Sequence, residues 1–173
     1  MTLDLEWSAA REDGTARVRL LYTPAQRERR DRTAWTTVQA ILAPLQLLVC
    51  IVSAGLVSYA LGTGELVGLA NASVLLKCAL LAAIMITGSI WEKVVFDRWL
   101  FAPAFFWEDV VSMGVIALHL AYLTAWLGGW LGVDALFTLA LVAYAAYAVN
   151  AAQFLLKLRQ ARATAGPAGG AAT

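Results

Sequence analysis

Three carboxylates, Glu92, Glu108 and Asp109, lie in one stretch, WEKVVFDRWLFAPAFFWEDVVSM from Trp91 to Met113, which separates two long apolar segments. Within it Glu92, Lys93, Asp97, Arg98, Glu108 and Asp109 are interleaved with Trp91, Phe96, Trp99, Phe101, Phe105, Phe106 and Trp107. Tryptophan favours the headgroup level of a bilayer, because a ring with one polar edge suits both phases. The stretch therefore reads as an amphipathic joint at a membrane interface. A carboxyl in so dry a place can keep its proton near neutral pH and act as a general acid, while a neighbour in wetter surroundings stays ionised and acts as base. Glu92 and Glu108, at the same depth on consecutive helices, are the natural pair, with Asp109 the substitute for either. Such a pair suffices to add or remove water without a cofactor. The plainer alternative is a helix start: Pro103 makes Ala104 to Asp109 a natural first turn, whose positive end favours acidic side chains.

Other chemistries lack their parts. The sequence has no phosphate-cradling glycine loop, no nucleotide fingerprint and no histidine cluster. Cys50 and Cys78 lie inside apolar segments without further ligands at metal spacing and read as packing residues. A net charge of +1 gives no ground for a nucleic-acid partner. No resident metal is expected.

The elements that position these residues are membrane spans. The 173 residues are 61% hydrophobic and 14% charged, with a mean hydropathy of +0.69. A spanning helix needs about 20 mostly apolar residues, and four segments qualify: 35–61, 66–93, 104–127 and 134–158. The expected fold is an all-α, integral membrane four-helix bundle, with the amphipathic joint between helices 2 and 3. Residues 1–34 form an extension that includes a surface helix begun by Thr23 and Pro24, and 159–173 a disordered tail. Seven arginines precede the first span, and the turns at Gly62 to Glu65 and Gly128 to Asp134 carry no Lys or Arg. The positive-inside rule then puts both termini and the joint in the cytoplasm.

Polar residues recur at helical spacing along the spans. Gln39 and Gln46 share a face of the first, and Pro44 kinks it. Lys77 lies about three turns inside the second, where a charge must face the interior, be paired or be neutral. Glu108, Ser112, His119 and Tyr122 form a seam down the third. His119 is either a hydrogen-bonded packing group or an axial ligand to the metal of a tetrapyrrole. Tyr147, Asn150, Gln153 and Lys157 share an arc of the fourth. Asp109, about 100° round from Glu108, is expected to pair with Arg98.

The joint, together with LYTPAQRERRDRTAWTTVQAILAPLQ upstream and VNAAQFLLKLRQAR at the end, resembles the 3-vinyl (2-vinyl) bacteriochlorophyllide hydratase family from about Tyr22 to Arg162. The resemblance implies a bacterial inner-membrane enzyme of bacteriochlorophyll synthesis, in the cytoplasmic or intracytoplasmic photosynthetic membrane. It would add water across the vinyl group of a chlorophyllide substrate to give a 1-hydroxyethyl group, with no cofactor beyond the substrate's own magnesium. It carries no catalytic assignment. Against that reaction, Glu108 is the expected acid and Glu92 its partner base. Gln39, Asn150 and Gln153 would position water or substrate carbonyls, Trp107 and its neighbours would stack on the ring, and Arg98 or Lys157 would meet the propionate. His119 would reach the magnesium. The partners implied are the lipid bilayer and other enzymes of the pathway. A noncatalytic tetrapyrrole carrier would use the same aromatics without the acids, and a proton-coupled transporter would use Lys77, His119 and the acids as a relay.

Overall fold

Thr23 opens the first helix by a reciprocal cap: its Oγ1 accepts from the Gln26 N–H, and Gln26 Oε1 accepts from the Thr23 N–H at 2.9 Å. The computed structural model describes residues 21–164; residues 1–20 of the extension and 165–173 of the tail lie outside them. Helix α1 (Pro24–Arg32) ends at Thr33, whose extended backbone turns the chain into α2 (Ala34–Thr63). Thr36 ties the corner down: its hydroxyl donates to Arg30 O at 2.6 Å and accepts from the Trp91 indole at 3.0 Å.

Three further helices follow, α3 (Val67–Phe96), α4 (Phe106–Gly128) and α5 (Val133–Thr164), with no strand among the described residues. The proposed tail boundary moves, since α5 continues as helix from 159 to Thr164. Pro103 does not begin α4. It lies in a turn closed by Phe105 N–H to Ala102 O at 2.8 Å, and the helix starts at Phe106. Pro44 is accommodated inside α2, which runs through it. Gly64 and Gly129 end α2 and α4 in the left-handed conformation, with φ of 72° and 62°.

Four helices, α2 to α5, are long and apolar enough to cross a membrane, and the chain is a multi-pass membrane protein. Its burial pattern suits that solvent. Ile41, Leu48, Ile51, Leu69, Leu76, Ile86, Leu120, Val142 and Val149 are exposed, where acyl chains replace water, while the interior mixes small or branched groups such as Val57, Ala60, Ala70, Val74 and Ala140 with Gln46, Ser53, Lys77 and His119. Small residues let helices approach closely where hydrophobicity supplies no drive between them. Helix α2 packs on α3 and α4 on α5, the two hairpins join mainly through α2 and α5, and α3 meets α4 along little of its length. Cys50 and Cys78 are free and buried.

Phe105 holds the joint against the rest. Its ring, 3% exposed, meets Tyr22, Trp91, Phe96 and Phe154 at centroid distances of 5.8–6.4 Å. Each such pair contributes about 0.5–1.5 kcal/mol beyond its buried area. One residue thereby fastens the joint to the segment before α1 and to α3 and α5.

Candidate functional site

Helix α3 ends at Asp97 in the left-handed conformation, with φ 62°, and Lys93 holds that end through Asp97 Oδ1 at 2.6 Å. Seven residues then lead to Phe105. Phe101 among them is also left-handed, with φ 58°, a region that costs a residue bearing a Cβ about 1–2 kcal/mol. The bend aims two successive N–H groups inward. Phe101 N–H donates to Asp109 Oδ2 at 2.8 Å and Ala102 N–H to Glu92 Oε2 at 3.2 Å. The Glu92 and Asp109 carboxyls are thereby held side by side on adjacent backbone N–H groups. Both residues are buried, at 6% and 4% exposure.

Glu108 turns the other way. Its Oε2 lies 2.5 Å from Lys157 Nζ on α5. Its backbone carbonyl accepts from Asn150 Nδ2 at 3.0 Å and from the Ser112 hydroxyl at 2.8 Å, and Ser112 also reaches Asn150 Oδ1 at 3.3 Å. The start of α4 is therefore locked to α5 by one ion pair and a three-residue polar knot. Lys157 also lies 5.2 Å from the centroid of the Phe105 ring.

The sequence-based expectations separate on this geometry. Glu92, Glu108, Asp109, Asn150 and Lys157 come together, but the neighbour of Glu92 is Asp109 rather than Glu108. The 100° between successive helix positions sends the Glu108 side chain toward α5 and the Asp109 side chain toward α3. Asp109 does not take Arg98, which is exposed, because its carboxyl is already held by the Phe101 N–H. Lys157 is engaged with Glu108. Gln39 lies apart, donating to Thr87 Oγ1 at 2.7 Å across the α2–α3 contact. Gln153 is half-buried, with Oε1 unpartnered. Trp107 is 69% exposed and continues an aromatic ledge with Phe106 and Phe101, at centroid spacings of 5.4 and 5.8 Å. His119 is buried and directs Nδ1 to Val115 O at 2.8 Å. It stands eleven residues along α4 from Glu108, about 16 Å.

Sequence reasoning missed the two backbone donors. No side chain advertises them, and their direction follows from a left-handed Phe101 that residue types do not foretell. It also left open Tyr22, which is 4% exposed, lies under the Arg30 guanidinium at 4.8 Å and stacks on Phe96. Burial pushes the Tyr22 phenol up from its ordinary value of 10.0, with Arg30 pulling the other way.

Chemically, the site is a pair of carboxyls held by adjacent backbone donors, beside Glu108 and its lysine partner, with an exposed aromatic ledge on the same joint. A family model described as 2-vinyl bacteriochlorophyllide hydratase matches residues 22–160. Among similar proteins, a 2-vinyl bacteriochlorophyllide hydratase of Cereibacter sphaeroides is 61% identical over 149 residues, which cover 83% of this chain and 89% of the relative. Another, of Rhodobacter capsulatus, is 61% identical over 142 residues, 82% of each chain. No solved structure matches the chain.

Proposed function

The chain belongs to the 2-vinyl bacteriochlorophyllide hydratase family and is a hydro-lyase of bacteriochlorophyll biosynthesis; from that premise we propose that it hydrates the vinyl group of a chlorophyllide-type substrate through the carboxyl pair Glu92 and Asp109. The observation that carries the proposal is the placement of these two carboxyls side by side, each clamped by one of two consecutive backbone donors. Two carboxyls in contact repel if both are ionised and are matched if one proton lies between them. The pair is then acid and base at once. Its proton goes to the terminal vinyl carbon, leaving a cation on the inner carbon that the conjugated macrocycle spreads. Water attacks that carbon and gives its own proton to the carboxylate just vacated. One C–H and one C–O bond form, the vinyl π bond is lost, and the pair ends as it began.

Glu108 has a different part in this reading. Its side chain is engaged by Lys157 at 2.5 Å. It fixes the start of α4, and with it Asp109. The ledge of Phe101, Phe106 and Trp107 offers a flat macrocycle a stacking surface reached from the bilayer. The reaction involves no net oxidation or reduction, and the chain's own groups supply the proton and the base. The basic residues before α2 and the absence of Lys and Arg from the far turns favour both termini in the cytoplasm of a bacterial inner membrane, with the joint at that face.

The test is to incubate purified protein with a vinyl chlorophyllide and look for a product heavier by one water. Formation by the parent chain and loss in Glu92→Gln and Asp109→Asn, with substrate binding retained, is the expected result. Unaltered turnover in both variants would refute the carboxyl-pair mechanism.

A further inference from the structure

Deep in the bundle, far from the joint, three polar side chains from three helices are buried without a protein hydrogen-bond partner. They are Gln46 on α2, with both amide atoms unmatched, Lys77 on α3 through Nζ, and His119 on α4 through Nε2. They are 1%, 0% and 3% exposed. Helix α5 closes the fourth side with two tyrosines. Lys77 Nζ lies 3.5 Å from the centroid of the Tyr147 ring, and the His119 and Tyr144 rings are 6.0 Å apart. Tyr144 and Tyr147 are neighbours one turn apart on α5, so Lys77 and His119 meet the same stretch of that helix. Nothing in the hydration chemistry uses these groups. A buried polar atom left unmatched is unfavourable, and a lysine in a membrane interior marks a site by default.

The donors and acceptors say what such a site takes. Val115 O can only accept, so His119 Nδ1 carries the hydrogen and the neutral ring presents a bare lone pair at Nε2. Lys77 presents N–H. An anion matched to Lys77 would meet that lone pair, and a cation matched to the lone pair would meet Lys77. Only a ligand that accepts and donates together satisfies both, and Gln46, buried with an unmatched donor and an unmatched acceptor, calls for a ligand of the same kind. We propose that the bundle holds bound water between Lys77, His119 and Gln46, continued along the Tyr147, Asn150 and Gln153 face of α5 to Glu108. Ten residues separate Tyr147 from Lys157, about 15 Å, and the unmatched Gln153 Oε1 marks the lower part of that path. A macrocycle seated on the aromatic ledge covers the joint from the bilayer side, and this interior file reaches the reaction site from behind it. That last role rests on the proposed hydration site; the water at Lys77 does not.

Hydroxyl-radical footprinting by X-ray radiolysis, on the full chain in lipid nanodiscs and in ¹⁸O water, separates the two. Residues beside bound water are oxidised despite burial. Tyr147 and His119 should be labelled several-fold faster than Phe137, which is 1% exposed in the apolar end of α5, and the label should carry solvent oxygen. Lys77→Met should bring His119 down toward the Phe137 rate; if that variant does not fold, Gln46→Leu serves the same comparison. Labelling of Tyr147 and His119 in the parent no faster than Phe137 overturns the proposal, whatever the turnover assay shows. Equal His119 labelling in parent and folded Lys77→Met overturns the part given to Lys77.

Discussion

Lys157 reaches from the last third of α5 to within 2.5 Å of Glu108 in the first turn of α4, and so ties the start of one helix to the end of the next. The two side chains are 24% and 11% exposed, dry enough that removing one partner strands the other. Lys157→Met is therefore expected to lower stability by about 2 kcal/mol, below the full penalty of a wholly buried pair because solvent screens part of it. The double variant Lys157→Met, Glu108→Gln should recover most of that loss. Denaturation in detergent, read on both variants and the parent, checks it.

Glu92→Gln and Asp109→Asn should each lower turnover by about 10²–10⁴ while the chlorophyllide still binds, the usual effect of removing a positioned acid or base. Glu108→Gln should lower it less, because that carboxylate acts through the placement of α4. Equal damage from all three changes would return Glu108 to the chemistry. The measurement is single-turnover conversion alongside a binding titration.

Phe101 offers a change that separates backbone from side chain. Glycine adopts the left-handed conformation freely, so Phe101→Gly should keep both N–H clamps and most of kcat, with KM raised by the missing ring of the ledge. A β-branched residue resists that conformation. Phe101→Val should therefore lower kcat and cost about 1–2 kcal/mol of stability. A larger kcat loss in the glycine variant than in the valine variant would show that the clamp is not what matters.

Tyr22 predicts a pH dependence. Its phenol titrates above the ordinary value of 10.0 because burial disfavours the charged form, so the neutral ring is the one that packs on Phe96 and Phe105. Its contribution to docking of the N-terminal segment is present in full below pH 10.0 and is lost as pH rises through the elevated value. Tyr22→Phe should flatten that alkaline loss, read as protease nicking near α1 against pH. An unchanged profile would assign the loss to another group.

The four long helices were legible because length, apolar runs and the glycines near their ends leave few alternatives. The depth of Glu92, Glu108, Asn150 and Lys157 was legible for the same reason, since residue number converts to height along a span. Pairing was not. Which carboxyl meets which depends on the path between Asp97 and Phe105, and that path turns on left-handed backbone at two residues, Asp97 and Phe101, neither of them glycine. Side-chain pattern carries no record of it. Arg98 shows the same limit: charge and proximity in sequence suggested a partner for Asp109, and the Phe101 amide hydrogen had already filled the place.

Glu92 ends the first helical hairpin and Asp109 begins the second, and the two hairpins lean on each other mainly through α2 and α5. A chain leaving the ribosome can therefore place α2 and α3 in the bilayer as one unit before α4 exists. At that stage Glu92 has no carboxyl beside it. The pair comes into being only when the second hairpin has inserted and docked, so under the proposed mechanism a half-inserted chain is catalytically silent, and activity itself would report that membrane assembly is finished.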